Sequence, residues 1–177
     1  MRYNLFQNRK GKNRMLIWII ISLAVVLLDQ GTKLLVIHNI APTDTIPVLP
    51  RILNLVYVKN TGAAFSILSG KTFFLSLISL AVCVGIVWYL VKNRPENKLM
   101  LLSVSLVLGG AVGNLIDRMF RGSVVDFFEV IFVDFPVFNV ADIAITVGAI
   151  LLMIYVLFFD REKKNGGKED SDAGSKA

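Results

Sequence analysis

Histidine and cysteine each occur once in the 177 residues, as His38 and Cys83. Cys83 lies inside an apolar run, so a disulfide, a clustered Cys/His metal site and a lipid-attachment cysteine near the N-terminus are all excluded. His38 falls in a loop-like stretch with no Cys or Ser partner, and no His-Glu-x-x-His pair exists, which removes the zinc peptidases. Charge is also scarce. Asp, Glu, Lys and Arg make up 18% of the chain, against about 25% in a soluble domain. No internal repeat is present. Apolar residues reach 55%, above the about 45–50% typical of soluble domains, and this excess places the chain in a bilayer.

Four apolar stretches, 15–37, 72–91, 99–116 and 139–159, approach or exceed the roughly 20 residues a spanning helix requires. The first follows a basic segment (Arg9, Lys10, Lys12, Arg14) and so imitates a secretory signal. Leu27-Leu28-Asp29 is no small-x-small cleavage site, so the segment is expected to stay as a helix. Thirteen of the nineteen basic residues fall in three short stretches, 1–14, 92–98 and 161–176. Such flanking clusters are topology signals rather than a phosphate groove, and no nucleic-acid partner is expected. They place both termini in the cytoplasm, with 34–71 and 117–138 outside.

Residues 45–58 are rich in Val, Ile, Leu and Tyr and run into Asn60-Thr61-Gly62, a turn signal, so a small sheet or hairpin is expected on the outer surface. Residues 122–135 are apolar but carry Asp126, Glu129 and Asp134, consistent with either a strand or an interfacial amphipathic helix. The segment 163–177 is polar and aperiodic and is expected to form a disordered cytoplasmic tail after a single membrane domain, 1–162. The predicted class is therefore an all-α membrane protein. It has four transmembrane helices, a small extracytoplasmic β-rich segment and an outer-face connection between helices 3 and 4.

This topology gathers polar side chains at one depth. Asp29 and Lys33 sit near the outer end of the first helix, Asn114, Asp117 and Arg118 near that of the third, and Asn139 and Asp142 in the first turn of the fourth. Ionised residues in a span cost about 2.5–3.5 kcal/mol each on insertion scales and so mark function. Each has a plainer explanation taken singly: an i,i+4 ion pair for Asp29 and Lys33, a helix cap for Asn139 and Asp142, a hydrogen-bonded helix end for Asn114 and Arg118, close packing for Gly109-x-x-x-Gly113. All four at one depth would be a coincidence. With other nucleophiles and metals excluded, aspartates remain. Two carboxylates held close share one proton, so one acts as base toward water while the other acts as acid toward a carbonyl. By helix position alone, Asp117 ranks with Asp142.

The motifs Asp29-Gln30-x-Thr32-Lys33, Asn60-Thr61-Gly62-Ala63-Ala64-Phe65, Gly109-Gly110-Ala111-x-Gly113-Asn114-x-x-Asp117-Arg118, Val124-Val125-Asp126-Phe127 and Phe138-Asn139-x-Ala141-Asp142 occur in that order. In order and spacing the chain resembles the lipoprotein signal peptidase (signal peptidase II) family over about 15–159. The resemblance implies an intramembrane aspartyl endopeptidase of the bacterial cell membrane that cuts prolipoproteins before a diacylglyceryl-modified cysteine. It implies Asp126 and Asp142 as catalytic residues, with Asn60, Asn114, Arg118 and Asn139 lining the site and holding substrate. Asp117, Asp29 and Lys33 would support them, without metal or organic cofactor. The expected partners are the lipidated precursor and membrane lipid, with the protein acting as a monomer. The main rival is a small proton- or ion-coupled transporter, though its charges would lie near the midplane of a symmetric repeat. A non-enzymatic membrane adaptor using 45–65 is a third reading.

Overall fold

The computed structural model describes the backbone of residues 2–62 and 70–159, with side chains from Leu16 onward. Ala63-Ala64-Phe65 and the tail 163–177 lie outside the described residues. Four helices form: α1 (Arg2–Asn39), α2 (Thr72–Asn93), α3 (Lys98–Arg121) and α4 (Val140–Phe158). Each contains a stretch long and apolar enough to cross a membrane, beginning in α1 at Leu16.

Local sequence sets the ends. Arg94 takes a left-handed conformation (φ 44°) and its N–H closes on the Leu90 carbonyl at 3.1 Å, ending α2 just before Pro95. Two residues later the Asn97 side chain accepts from the Leu99 and Met100 N–H groups and starts α3. Gly122, at φ 72°, ends α3 in the conformation that only glycine adopts freely. Asn139 and Asp142 form a reciprocal capping box at the start of α4. His38, expected in a loop, lies instead in the last turn of α1, its Nδ1 2.8 Å from the Leu34 carbonyl. The apolar pattern of α1 simply continues past Lys33.

A three-stranded antiparallel sheet, β1 (Ile46–Leu49), β2 (Leu53–Asn60) and β3 (Val124–Val130), sits at the end of the bundle where α1 and α3 finish and α4 begins. The hairpin expected at 45–58 is β1–β2. Within 122–135 the strand prevails over the amphipathic helix. β3 pairs with β2 from Asn60↔Val124 to Leu53↔Val130, which buries Val125 and Phe127 against Val36 of α1 and Ile40 just beyond its end. The chain then turns, and Phe138 pairs with Phe128 before handing over to α4.

The polarity of the bundle is inverted relative to a soluble protein. Phe73, Leu77 and Val84 of α2, Leu27 and Leu35 of α1 and Met153 of α4 are exposed, whereas Asp29, Lys33, Ser103, Ser105 and Asp117 are fully buried. Such a surface is stable only against lipid, where buried polar groups must be satisfied from within. The chain is a multi-pass membrane protein. α3 is the central helix, packed on all three others, and glycine is what lets α4 reach it. A Cβ on Gly110 would collide with the Ala141 carbonyl in the first turn of α4. A Cβ on Gly113 would come within 2.5 Å of Asp29 Oδ2. Small residues are the usual means of close helix approach in lipid.

Candidate active site

At the sheet-bearing end of the bundle, two layers of polar side chains are stacked. The lower layer is centred on Lys33. Its ammonium has three N–H donors and finds three acceptors, Asp29 Oδ2, Asp117 Oδ2 and Asn114 Oδ1, each at 2.9 Å. Asp29 and Asp117 then reach outward to the backbone. Asp29 Oδ1 accepts from the Ala141 N–H at 3.0 Å, and Asp117 Oδ2 from the Val125 N–H at 3.1 Å. Ala141 immediately precedes Asp142, and Val125 immediately precedes Asp126. Each buried carboxylate thus anchors the residue before one of the two upper carboxylates.

The upper layer contains those two. Asp126, from β3, accepts from Asn139 Nδ2 at 2.6 Å and from Asn60 Nδ2 at 2.8 Å. Asn60 ends β2, and its Oδ1 takes the Gly62 N–H at 2.8 Å, a local turn that aims its amide at Asp126. Asp142, from α4, accepts from Asn114 Nδ2 at 2.8 Å and from the Asn139 N–H at 3.1 Å. Asn139 joins both: its side chain also accepts from the Asp142 N–H at 3.0 Å and donates to Asn114 Oδ1 at 3.2 Å. Every oxygen of the two carboxylates is therefore oriented by an amide N–H, which leaves their remaining lone pairs for a reacting molecule.

A cavity of about 260 Å³ opens over this layer, lined on its polar side by Asn60, Asn114, Arg118, Asp126 and Asp142. Its apolar wall is built from Val124, Phe135, Val137, Phe138 and Ile145. Asp126 and Asp142 line it; Asp29, Lys33 and Asp117 are fully buried beneath and do not. Asn139, read from sequence as lining the site, is also fully buried, behind the two carboxylates. Among the described residues no three His, Cys, Asp or Glu side chains converge as a metal site requires.

Burial is the main influence on Asp126, pushing its carboxyl from the ordinary value of 3.8 up to about 6. The hydrogen bond from Asn60 opposes this, the negative charge of Asp142 adds to it, and Asn139 and Lys33 oppose it. Two groups here escaped the sequence reading. Gln30 was noted only as part of a motif, yet its Nε2 lies 3.1 Å from both Asp29 Oδ2 and Asp117 Oδ1. Arg121, in no motif, pairs with Asp117 and donates to Gln30 Oε1 at 2.9 Å. The i,i+4 spacing of Asp117 and Arg121 was the available signal.

Fold and cavity together define a polytopic membrane protein with a carboxylate pair at the floor of a half-polar cleft. Residues 21–158 match the family described as Signal peptidase (SPase) II. The chain is 42% identical over 151 residues to the lipoprotein signal peptidase of Bacillus velezensis, spanning 84% of this chain and 99% of that protein. It is 43% identical over 144 residues to that of Clostridium acetobutylicum, spanning 80% and 93%. A bacterial membrane enzyme solved by the in meso method at 2.3 Å resolution superposes with a TM-score of 0.76 at 40% identity, covering 80% of this chain and 87% of that one. The chain belongs to the signal peptidase II family. The transporter reading finds no support in these relatives.

The opposed influences on Asp126 can be separated. Asn60→Ala removes a hydrogen bond to the carboxylate and is expected to move the Asp126 titration above about 6. Asp142→Asn removes a like charge and is expected to move it below that value. Carboxyl-carbon NMR of labelled protein measures both, and a shift of either in the opposite direction would contradict the arrangement described.

Proposed function

We propose that the chain removes signal peptides from diacylglyceryl-modified prolipoproteins, cutting before the lipidated cysteine, with Asp126 and Asp142 as its catalytic aspartates. The observation that carries the assignment is selective access to the cavity. Of the four carboxylates gathered at this end, Asp126 and Asp142 line the cavity, whereas Asp29 and Asp117 lie beneath it, saturated with donors. The names of the relatives support the substrate class. The apolar wall beside the carboxylates supports an acylated substrate approaching from the bilayer.

In this mechanism the pair carries one proton, seated on Asp126, whose affinity for it burial raises from the ordinary carboxylate value to about 6. Asp142, ionised, takes a proton from a water molecule as its oxygen attacks the scissile carbonyl carbon. Asp126 passes its proton to the carbonyl oxygen, forming a tetrahedral gem-diol. The proton on Asp142 then goes to the amide nitrogen while a gem-diol hydroxyl returns its proton to Asp126. The C–N bond breaks, and acid and amine separate with both carboxyls restored. Asn60, Asn114 and Asn139 hold the two carboxyls. Arg118, half-buried in the cavity wall, binds substrate carbonyl oxygens. A single chain supplies every residue named, so the monomer suffices, and 1–162 forms its one domain.

We also place the termini in the cytoplasm and the cavity at the extracytoplasmic face, because the basic stretch 92–98 joins α2 to α3 and the basic stretch 2–14 begins α1, at the helix ends away from the sheet. Reporter fusions at Asn93 and at Asp44 are expected to read cytoplasmic and extracytoplasmic respectively; equal signals, or the reverse pair, would overturn this topology. For the chemistry, Asp126→Asn and Asp142→Asn should each reduce cleavage of a lipidated precursor by about 10⁴-fold or more without preventing its binding, and the double variant should be little worse. Asp117→Asn should retain measurable turnover. A dead Asp117→Asn beside an active Asp126→Asn would show that the wrong pair had been chosen.

A further inference from the structure

Arg121 is the one charged partner of the lower layer that stands at its rim. Asp29, Lys33 and Asp117 are fully buried, while the Arg121 side chain keeps 26% of its exposure. Its Nη1 reaches Asp117 Oδ1 on its own helix and Gln30 Oε1 on α1, and Gln30 Nε2 returns to Asp29, Asp117 and the Gly113 carbonyl at 3.0–3.1 Å. The four charges, two negative and two positive, sum to zero. Without Arg121 the sum is −1, in a region where charge is weakly screened. That excess would lie against Asp117, whose Oδ2 holds the backbone next to Asp126.

The plainer reading is an interfacial arginine whose stem covers apolar surface and whose charge complements the C-terminus of α3. Such an arginine would face solvent or lipid headgroups. Here both contacts of Nη1 are to the layer that orients the carboxylate pair.

Building on the assignment of Asp126 and Asp142 as the catalytic pair, we propose that Arg121 is a positioning residue, which closes the charge balance of the layer beneath them and fixes Asp117, and through it Asp126. Gln30 is the neutral link that carries the same tie to Asp29. The charged groups facing Asp126 are Asp142 from α4, Lys33 from α1 and Arg118 from α3, and Asp117 of α3 reaches it one residue away, through the Val125 N–H. Removal of Arg121 leaves Asp117 the group among these whose charge is no longer balanced. Asp126 should then hold its proton to higher pH.

The test uses full-length protein in bilayers, with the Asp126 carboxyl followed by NMR and turnover of a diacylglyceryl-modified precursor measured across pH. Arg121→Gln is expected to raise the Asp126 titration by about half a pH unit or more and to lower kcat about tenfold with KM within about twofold. Arg121→Lys, which keeps the charge, should leave the titration in place. The double variant Asp117→Asn with Arg121→Gln restores neutrality and should return the titration to its original position. An unmoved titration in Arg121→Gln overturns the proposal even if turnover falls. Should Arg121→Gln fail to insert, an upward shift in Arg121→Lys or in the double variant of the size expected for Arg121→Gln overturns it instead. An active Asp126→Asn would remove the catalytic assignment itself, whatever Arg121 does.

Discussion

A single ammonium group, that of Lys33, is held at zero exposure between two carboxylates and an amide inside a membrane-spanning bundle. Taking any one of these charges out of water costs several kcal/mol, and only close, fully satisfied geometry repays it. The three acceptors come from α1 and α3, so the cluster fixes the register of those two helices. Through Asp29 it reaches the first turn of α4, and through Asp117 it reaches β3. Three helices and a strand are thereby tied to one point, and the two carboxylates in the cavity sit one residue beyond the tied positions.

Ordinary helix chemistry and site chemistry coincide at α4. The capping box that starts the helix uses Asn139 and Asp142, and satisfying the first-turn N–H groups already orients the Asp142 carboxyl. Asn139 is then left with an amide to give, and it gives it to Asp126 and Asn114. The cap and the site are one structure. The same economy appears at Asn60, where a turn-forming side chain also donates to Asp126.

Much of this was legible in the sequence because the bilayer imposes coarse, strong rules. Four apolar stretches gave four membrane-length spans within a few residues, although the helix of the first runs back to Arg2, and polar residues found in three of them converged at one end. The i,i+4 pair Asp29–Lys33 was legible too, but not that its lysine also binds across to α3, since helix-to-helix distance leaves no trace in spacing. The choice between Asp117 and Asp126 was beyond local pattern for the same reason. Asp117 is the more helical and regular residue, yet it turns inward, where Lys33, Arg121 and Gln30 surround it. Asp126 lies on a strand, a conformation that 122–135 left open until its pairing with β2 was known.

The dependence of the site on Lys33 is most directly tested by Lys33→Met, close in length but uncharged, measured for thermal unfolding and for turnover of a lipidated precursor. Removing one partner from a buried ion pair costs about 3–5 kcal/mol, and here two carboxylates lose their cation at once. The expected result is a marked fall in Tm and turnover reduced by more than about a hundredfold, because both backbone anchors loosen. Turnover within about threefold of the parent protein would contradict the claim that this buried cluster sets the geometry of the pair.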